Sequence, residues 1–412
     1  MSGLWGWICC LLLWLGLEGA NADWLYFSGN LEGNCFIAAR AYPPLQLKWR
    51  FRAQGGFYFP PTISQGIVYA GSRDYNVYAV DAKTGTALWS FHTQGEVYGG
   101  VTPGGDKVFA TSADGHLYAL NARTGQLLWK YPLEGILYAP ALYADGIVCV
   151  GSGEGTLLHA VNAQTGERLW TFPMEARMGS AMAARDGVVY VGSYDRRLYA
   201  LDLRTGKPLW SFEGHGYFDS CPLVAEKVVY AKTPDDVIYA LDRQTGKPLW
   251  TYDPWEAPEW ATQTINWSPL ALVGDELLLF ASNNRYVGAL DLKTRTLRWR
   301  QEFQEDVASA PLVVGEVAYL GTKDGNIYVL SVRTGQPIWS QKRTAPPSQE
   351  FLRGYMWPPA LDQGVLYFSS LDGFLEAYET QPTLSEELRA ALEGKTLPPP
   401  PPANIFGQIE RE

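Results

Sequence analysis

The chain has 412 residues, 47% of them hydrophobic and 18% charged, and a formal net charge of −10. That much apolar material, with 16 Trp and 24 Tyr, excludes a globally disordered chain. The acidic balance, with no cluster of Lys and Arg, excludes a nucleic-acid groove, which needs grouped cations to displace phosphate counterions.

Leu4 to Leu17 (LWGWICCLLLWLGL) is an apolar run too short to span a bilayer, and Ala20-Asn21-Ala22 fits a small-x-small cleavage site. Residues 1–22 are therefore expected to be a cleaved signal peptide, and the mature protein to be secreted, in the periplasm, monomeric and not membrane-spanning. No Lys or Arg precedes the run, so an uncleaved anchor is the alternative. Cys9 and Cys10 lack a lipoprotein context and leave with the leader. The remaining Cys35, Cys149 and Cys221 are odd in number, which excludes a fully paired disulfide framework and makes Cys149 and Cys221 small buried hydrophobes.

Residues 23–46 form a lead-in, and from 47 the chain repeats. Trp49, Trp89, Trp129, Trp170, Trp210, Trp250, Trp299 and Trp339 are separated by 40, 40, 41, 40, 40, 49 and 40 residues. A period near 40 filled with short alternating runs predicts propeller blades rather than a helical solenoid. In the unit ending at Trp129 the strands read VYGGVTP, KVFATSA, HLYALNA and LLWKYP.

The last two strands of each unit are joined by turns such as Asp81-Ala-Lys-Thr84-Gly85 and Asp202-Leu-Arg-Thr205-Gly206. There the first side chain accepts from backbone N–H groups and the glycine supplies a positive φ. Arg295 replaces that glycine in the sixth unit, where a distorted turn is expected. Phe51, Phe91, Tyr131, Phe172, Phe212 and Tyr252 follow their tryptophans by two positions. Residues so spaced share a strand face, so each outer strand should lay two rings on the neighbouring blade. A buried Trp removes roughly 150–250 Å² from water, an upper estimate of about 4–6 kcal/mol each.

The first Trp strand, LKWRF (47–51), has no partner strands before it, while 355–379 carries three strands and no Trp strand after them. The N-terminal strand should thus complete the last blade. The expected fold is all-β, an eight-bladed β-propeller of four-stranded blades over 47–380.

The motif LYALDxxTGxxLW, at 198–210 and 238–250, resembles the PQQ-like, quinoprotein-type propeller repeat. One such domain behind a signal peptide is similar to the BamB family of outer-membrane assembly factors, over about residues 24–379. The resemblance implies a non-catalytic, protein-binding scaffold with envelope or outer-membrane protein partners. The quinoprotein dehydrogenases that share the repeat imply the alternative, a redox enzyme or small-molecule binder with PQQ and calcium in the central funnel. Those enzymes carry a vicinal disulfide beside the cofactor and Glu, Asn and Asp around the calcium ion. Here the vicinal cysteines are Cys9 and Cys10 of the leader, so no catalytic, cofactor or metal residue is assigned.

His116 and His159 fall in third strands and read as structural; His92 and His215 lie in connections between blades. No CxxCH, HExxH or GxSxG pattern is present. Departures from the repeat are the better candidates. An insertion of about nine residues between Trp250 and Trp299 brings Trp255, Glu256, Glu259, Trp260 and Trp267 out of register, as a partner-binding loop or a cap over the channel. A long connection at 341–357 supplies Lys342, Arg343 and Arg353 for the same rim. Just before the inner strands stand Phe59, Tyr98, Tyr138, Gly179, Ser220, Trp267, Ser309 and Trp357, with Arg177, Asp219 and Asn266 nearby. That set makes either a ligand pocket in the funnel or its ordinary filling.

Thr383-Leu-Ser-Glu386 is a capping-box pattern, Leu384, Leu388 and Leu392 share a helical face, and Gly394 is a stop. An amphipathic helix over 381–394 should pack on the side of the propeller. Residues 395–412 are expected to be a Pro-rich disordered tail, or alternatively a docking peptide, in which Pro398–Pro402 extend about 15 Å as polyproline II.

Overall fold

The computed structural model describes residues 24–26, 28–136, 138–153, 155–179, 181–254, 269–282, 285–304, 307, 311–323, 325–343, 354–355 and 357–393. The leader and the Pro-rich tail lie outside the described residues.

Eight antiparallel sheets form the ring. Blade 1 consists of Thr62–Ser64, Ile67–Gly71, Asn76–Asp81 and Ala87–His92, from the axis outwards. Blade 8 takes its outer strand from the other end of the chain: Tyr42–Arg52 pairs antiparallel with Phe374–Gln381, with Trp49 opposite Ala377 as Trp89 is opposite Ala79 in blade 1. The strand starts at Tyr42 rather than at 47. Its ladder shifts between Tyr42 and Gln46, where Pro43 and Pro44 have no N–H to give.

The turn before each tryptophan explains the repeat. Asp81 Oδ1 accepts from Lys83 N at 3.0 Å, Thr84 N at 2.7 Å and Thr84 Oγ1 at 2.8 Å, and Gly85 follows at φ 73°. A Cβ on Gly85 would stand 2.6 Å from the ring of Trp49, and on Gly206 2.5 Å from that of Trp170. The glycine is needed twice, for its φ and because the indole of the preceding blade lies on it. That indole then donates Nε1 to a carbonyl of the same turn. Trp49, Trp89, Trp129, Trp170, Trp210 and Trp299 bond Ala82, Ala122, Ala163, Leu203, Arg243 and Val332 at 2.9–3.2 Å. Among the described residues Trp250 makes no such bond, and its target turn is the one that carries Arg295.

That turn is not distorted as expected. Arg295 adopts φ 60° and its N–H still bonds Asp291 O at 2.7 Å. Asp291 holds the geometry by accepting from Lys293 N and Thr294 N, both at 2.9 Å, so the residue and not the backbone carries the strain. Arg295→Gly is expected to stabilise the protein by about 1 kcal/mol in urea denaturation, since a left-handed conformation is unfavourable for any residue with a Cβ. No gain would show that the arginine side chain compensates.

The same turns make stability acid-sensitive. Hydrogen bonds from Thr84, Thr205 and Thr245 hold the carboxyls of Asp81, Asp202 and Asp242 below their ordinary value, and the Thr294 N–H with Arg298 pulls Asp291 down to about 2. A carboxyl depressed in the folded state contributes stability that is present above its unfolded pKa and lost as pH falls through the folded one. Melting temperature should be level above about pH 4 and fall below it. Blades 2 and 3 use Asn121 and Asn162 in this turn, each accepting from the backbone and never titrating. Asp→Asn at 81, 202, 242 and 291 together should therefore flatten the acid limb, and an unchanged limb would place the sensitivity elsewhere.

Blades 6 and 7 carry Gln301 and Gln341 in place of the expected second ring; in most of the others the ring meets the neighbouring third strand. Phe51–Tyr78, Phe172–Tyr199 and Phe212–Tyr239 have centroids 5.2–5.3 Å apart. Tyr78, Tyr118 and Tyr199 in turn donate to Asp74, Asp114 and Asp195 at 2.7–2.8 Å. In blade 3 His159 stands in for the tyrosine, 3.1 Å from the Tyr131 hydroxyl, and burial pushes its pKa down. Cys35, Cys149 and Cys221 are free and buried.

The helix, α1, runs from Glu386 to Leu392. Its cap is Ser385, whose hydroxyl accepts from Leu388 N at 3.2 Å, and not Thr383, because the chain turns helical two residues later than the box pattern implies. Leu388 and Ala391 are buried against the propeller. Among the described residues no helix is long and apolar enough to cross a membrane.

Candidate functional site

The inner strands leave one backbone edge facing the axis, and unpaired N–H groups there need acceptors. The lead-in supplies them. Ile63 N bonds Trp24 O at 2.8 Å, Ala184 N bonds Leu31 O at 2.7 Å, Val224 N bonds Glu32 O at 2.8 Å and Val313 N bonds Cys35 O at 2.8 Å. Phe36–Ile37 adds a fifth, parallel strand inside blade 7. The segment thus crosses the axis from blade 1 to blade 4, follows the inner edges of blades 5, 6 and 7, and enters blade 8 as its outer strand. Trp24, Tyr26, Ser28 and Cys35 are buried along it. From the sequence it reads only as a lead-in; its aromatic content, WLYF at 24–27, is the signal that could have marked it as more.

Above this segment, at the N-terminal ends of the inner strands, lies a cavity of about 290 Å³. Tyr58, Phe59, Tyr138, Met178, Tyr194 and Trp357 wall it, Arg177 supplies the cation, and glycines and alanines fill the gaps. Tyr26 belongs to the same packed cluster as Phe59 and Trp357, so the lead-in packs against the wall of this cup. The rings are braced in pairs: Phe59 stacks on Trp357 at 4.5 Å, and Tyr194 on Tyr217 at 4.6 Å. Burial raises the pKa of Tyr58, and the Trp357 indole donates to the Tyr58 carbonyl. The Arg177 guanidinium lies 4.4 Å from the centre of the Tyr194 ring and makes no ion pair among the described residues. Such a cup can hold a flat apolar group with its negative end at Arg177.

Of the funnel residues named from sequence, Tyr138, Arg177 and Trp357 line the cup. Tyr98 stands beside it, 5.6 Å from the Tyr138 ring. Asp219 is fully buried and outside the lining. Asn266 and Trp267 lie outside the described residues, as do Trp255, Glu256, Glu259, Trp260 and Arg353. Tyr58, Met178 and Tyr194 were not singled out. Tyr194 comes from the turn between second and third strands, where the other blades place unrelated residues, and only the closed ring aims it at the axis.

Arg343 corrects the expectation of an exposed loop cation. It is buried, with Nε 2.8 Å from Glu376 and Nη1 2.7 Å from Asp372. Glu376 occupies the third-strand position held by tyrosine in most blades and also binds Arg50 at 2.6 Å and the Tyr355 hydroxyl at 2.7 Å. Its negative charge in that slot draws the arginine in. A second buried pair, Lys232 and Asp236 at 3.2 Å, joins blade 5 to Tyr286 of blade 6.

A cofactor of the quinone and calcium kind needs oxygen ligands for the ion, six to eight for calcium. Among the described residues the cup lining contains no carboxylate, and no group of three or more His, Cys, Asp or Glu side chains is placed to hold a metal. The described residues therefore do not fit that pair.

Solved structures share this ring. BamB from Moraxella catarrhalis superposes with a TM-score of 0.66 at 21% identity, over 82% of this chain and 100% of that one. A europium-containing methanol dehydrogenase superposes with a TM-score of 0.73 at 15% identity, over 88% of this chain and 99% of that one. A quinohemoprotein alcohol dehydrogenase from Comamonas testosteroni gives 0.73 at 16% identity, over 89% and 82%. These likenesses establish the fold alone. No curated protein matches the sequence significantly. The family model described as outer membrane protein assembly factor BamB matches residues 46–135, 93–158, 153–279 and 254–382, from the N-terminal strand of blade 8 round to its last strand, and the chain belongs to that family.

Proposed function

We propose that this protein is a non-catalytic interaction scaffold of the cell envelope that works in outer-membrane protein assembly, in the periplasm and with protein partners. The observation that carries this reading is the N-terminal segment on the axis. The chain's own Tyr26 is fully buried in the cluster that also holds Phe59 and Trp357 of the cup wall, which favours the rims and the outer wall as the surfaces for partners. The family supports it, as does the lack of a carboxylate among the described residues that line the cup.

Site-directed crosslinking in the native envelope, with photoreactive residues on the insertion at 253–265, tests it. The expected result is an adduct with an outer-membrane protein or a component that assembles one. Deleting 253–265, the acidic and aromatic departure from the repeat, should abolish that adduct and move the melting temperature by less than about 2 °C; a large fall would show the insertion to be structural. Calcium- and PQQ-dependent reduction of a dye with an alcohol or sugar by the purified protein would overturn the scaffold reading in favour of the quinoprotein one.

A further inference from the structure

The residue before each repeat tryptophan points out of the ring. Leu88, Leu128, Leu169, Leu209 and Leu249 occupy this position in blades 1 to 5 and are 42–54% exposed. Isolated exposed leucines are ordinary. Here the same register on consecutive blades makes a row around the outer wall, beside strand edges that have no partner in the ring.

Blade 7 shows what covers such a position. Its equivalent is Ile338, only 7% exposed. The difference is α1, which packs on the outer strand Pro337–Lys342 and places Leu388 and Ala391 in the same cluster as Ile338. Blades 6 and 8 carry Arg298 and Lys48 instead, so the row ends on charged residues, the usual protection of a strand edge.

Charge narrows the occupant. Lys207 and Lys247 stand in the turns that lead into these strands, two residues before Leu209 and Leu249, and both are exposed. Neither makes an ion pair among the described residues. The helix that already sits on blade 7 is acidic in its first turn, with Glu386 and Glu387 beside its apolar face. We propose that the outer strands of blades 4 and 5, Pro208–Glu213 and Pro248–Tyr252, are a docking surface for an acidic amphipathic helix of a partner protein. Its leucines cover Leu209 and Leu249 as α1 covers Ile338, and its carboxylates meet Lys207 and Lys247. This goes beyond the scaffold reading by naming a surface and the class of partner, and it stands whichever envelope process the partner serves.

The test uses the full chain and a fluorescein-labelled peptide of residues 381–394, an acidic amphipathic helix of the required kind, read by fluorescence anisotropy. Binding is expected, with Leu209→Ser plus Leu249→Ser weakening it at least tenfold and Lys207→Glu plus Lys247→Glu weakening it severalfold and removing its salt dependence. A peptide of the same composition without the leucine stripe should not bind. These four positions are exposed, and unchanged melting curves show that the variants fold. Absent binding, or binding indifferent to all four substitutions, overturns the proposal; the latter would show only that the peptide displaces α1 from blade 7. Sedimentation showing a dimer that the leucine variants abolish would assign the row to a second copy of this chain, and leucine-dependent flotation with phosphatidylethanolamine and phosphatidylglycerol vesicles would assign it to lipid. Either result overturns the partner helix without touching the envelope crosslinking result.

Discussion

Glu376→Gln is expected to destabilise the ring by about 3–5 kcal/mol, the effect of removing one charge from a buried ion pair. Glu376 is fully buried on the last strand. Its two oxygens hold Arg50 of the N-terminal strand at 2.6 Å and Arg343 of blade 7 at 2.8 Å, while Tyr355 donates at 2.7 Å. The carboxylate therefore ties together the two ends of the chain and the neighbouring blade at the point where the ring closes. Glutamine keeps the shape and loses the charge, which takes from Arg343 one of the two carboxylates, Glu376 and Asp372, that it pairs with. Arg50 is half-buried at the rim and regains some water. Urea denaturation with an unchanged slope would read the loss as stability rather than as a change in the unfolded chain. A loss below about 1 kcal/mol would show that the network is no stronger than a surface pair. A second variant separates charge from packing. Glu376→Tyr with Arg343→Met introduces the side chain that most other blades use at this position, next to an aspartate four residues earlier as in Asp74 and Tyr78. At least half of the stability lost in the glutamine variant should return, because well-packed apolar groups replace buried pairs at little cost.

Tyr26→Ala is expected to cost about 3–5 kcal/mol, the range for truncating a large buried aromatic. Tyr26 is fully buried on the axis, in the cluster that also holds Phe59, Met182, Cys221 and Trp357. Its loss opens a cavity shared by the inner strands of several blades, and the neighbouring backbone bonds of Trp24 and Leu31 hold the hole open rather than letting it collapse. Removing 24–37 as a unit should be worse, since it uncovers the N–H groups of Ile63, Ala184, Val224 and Val313 together. Denaturation of the point variant and size-exclusion of the deletion check both. A compact, fully stable deletion variant would show that the axis does not need filling, and would remove the chief support for the scaffold reading.

The ring was legible because it is written many times over. A Trp recurring about every 40 residues, in most units with a glycine four residues before it and an aromatic two residues after it, set the register of the outer strands, so a local pattern implied blade number and closure. Arg295, which replaces the glycine in one of the Asp-x-x-Thr turns, is a residue whose turn is held by its neighbours' bonds to Asp291, which no rule about glycine could anticipate. Repetition also hid things. Leu209 and Leu249 read as ordinary members of an alternating strand until exposure was set against that of Ile338. Arg343 read as a loop cation because its partner, Glu376, is 33 residues away.

Residue order alone was enough for the eight blades, the seam between the two ends and the amphipathic helix, because strand period, turn chemistry and helix period are properties of neighbours along the chain. Whether the axis is open, which side chains meet in the cup and which charges are buried depended on folding. Those are properties of residues brought from different blades to one place. Asparagine, tryptophan and tyrosine at 24–37 look the same whether they lie in a linker or along a channel. Only the inner strands' unpaired backbone edges, present once the ring has closed, give that segment somewhere to bind.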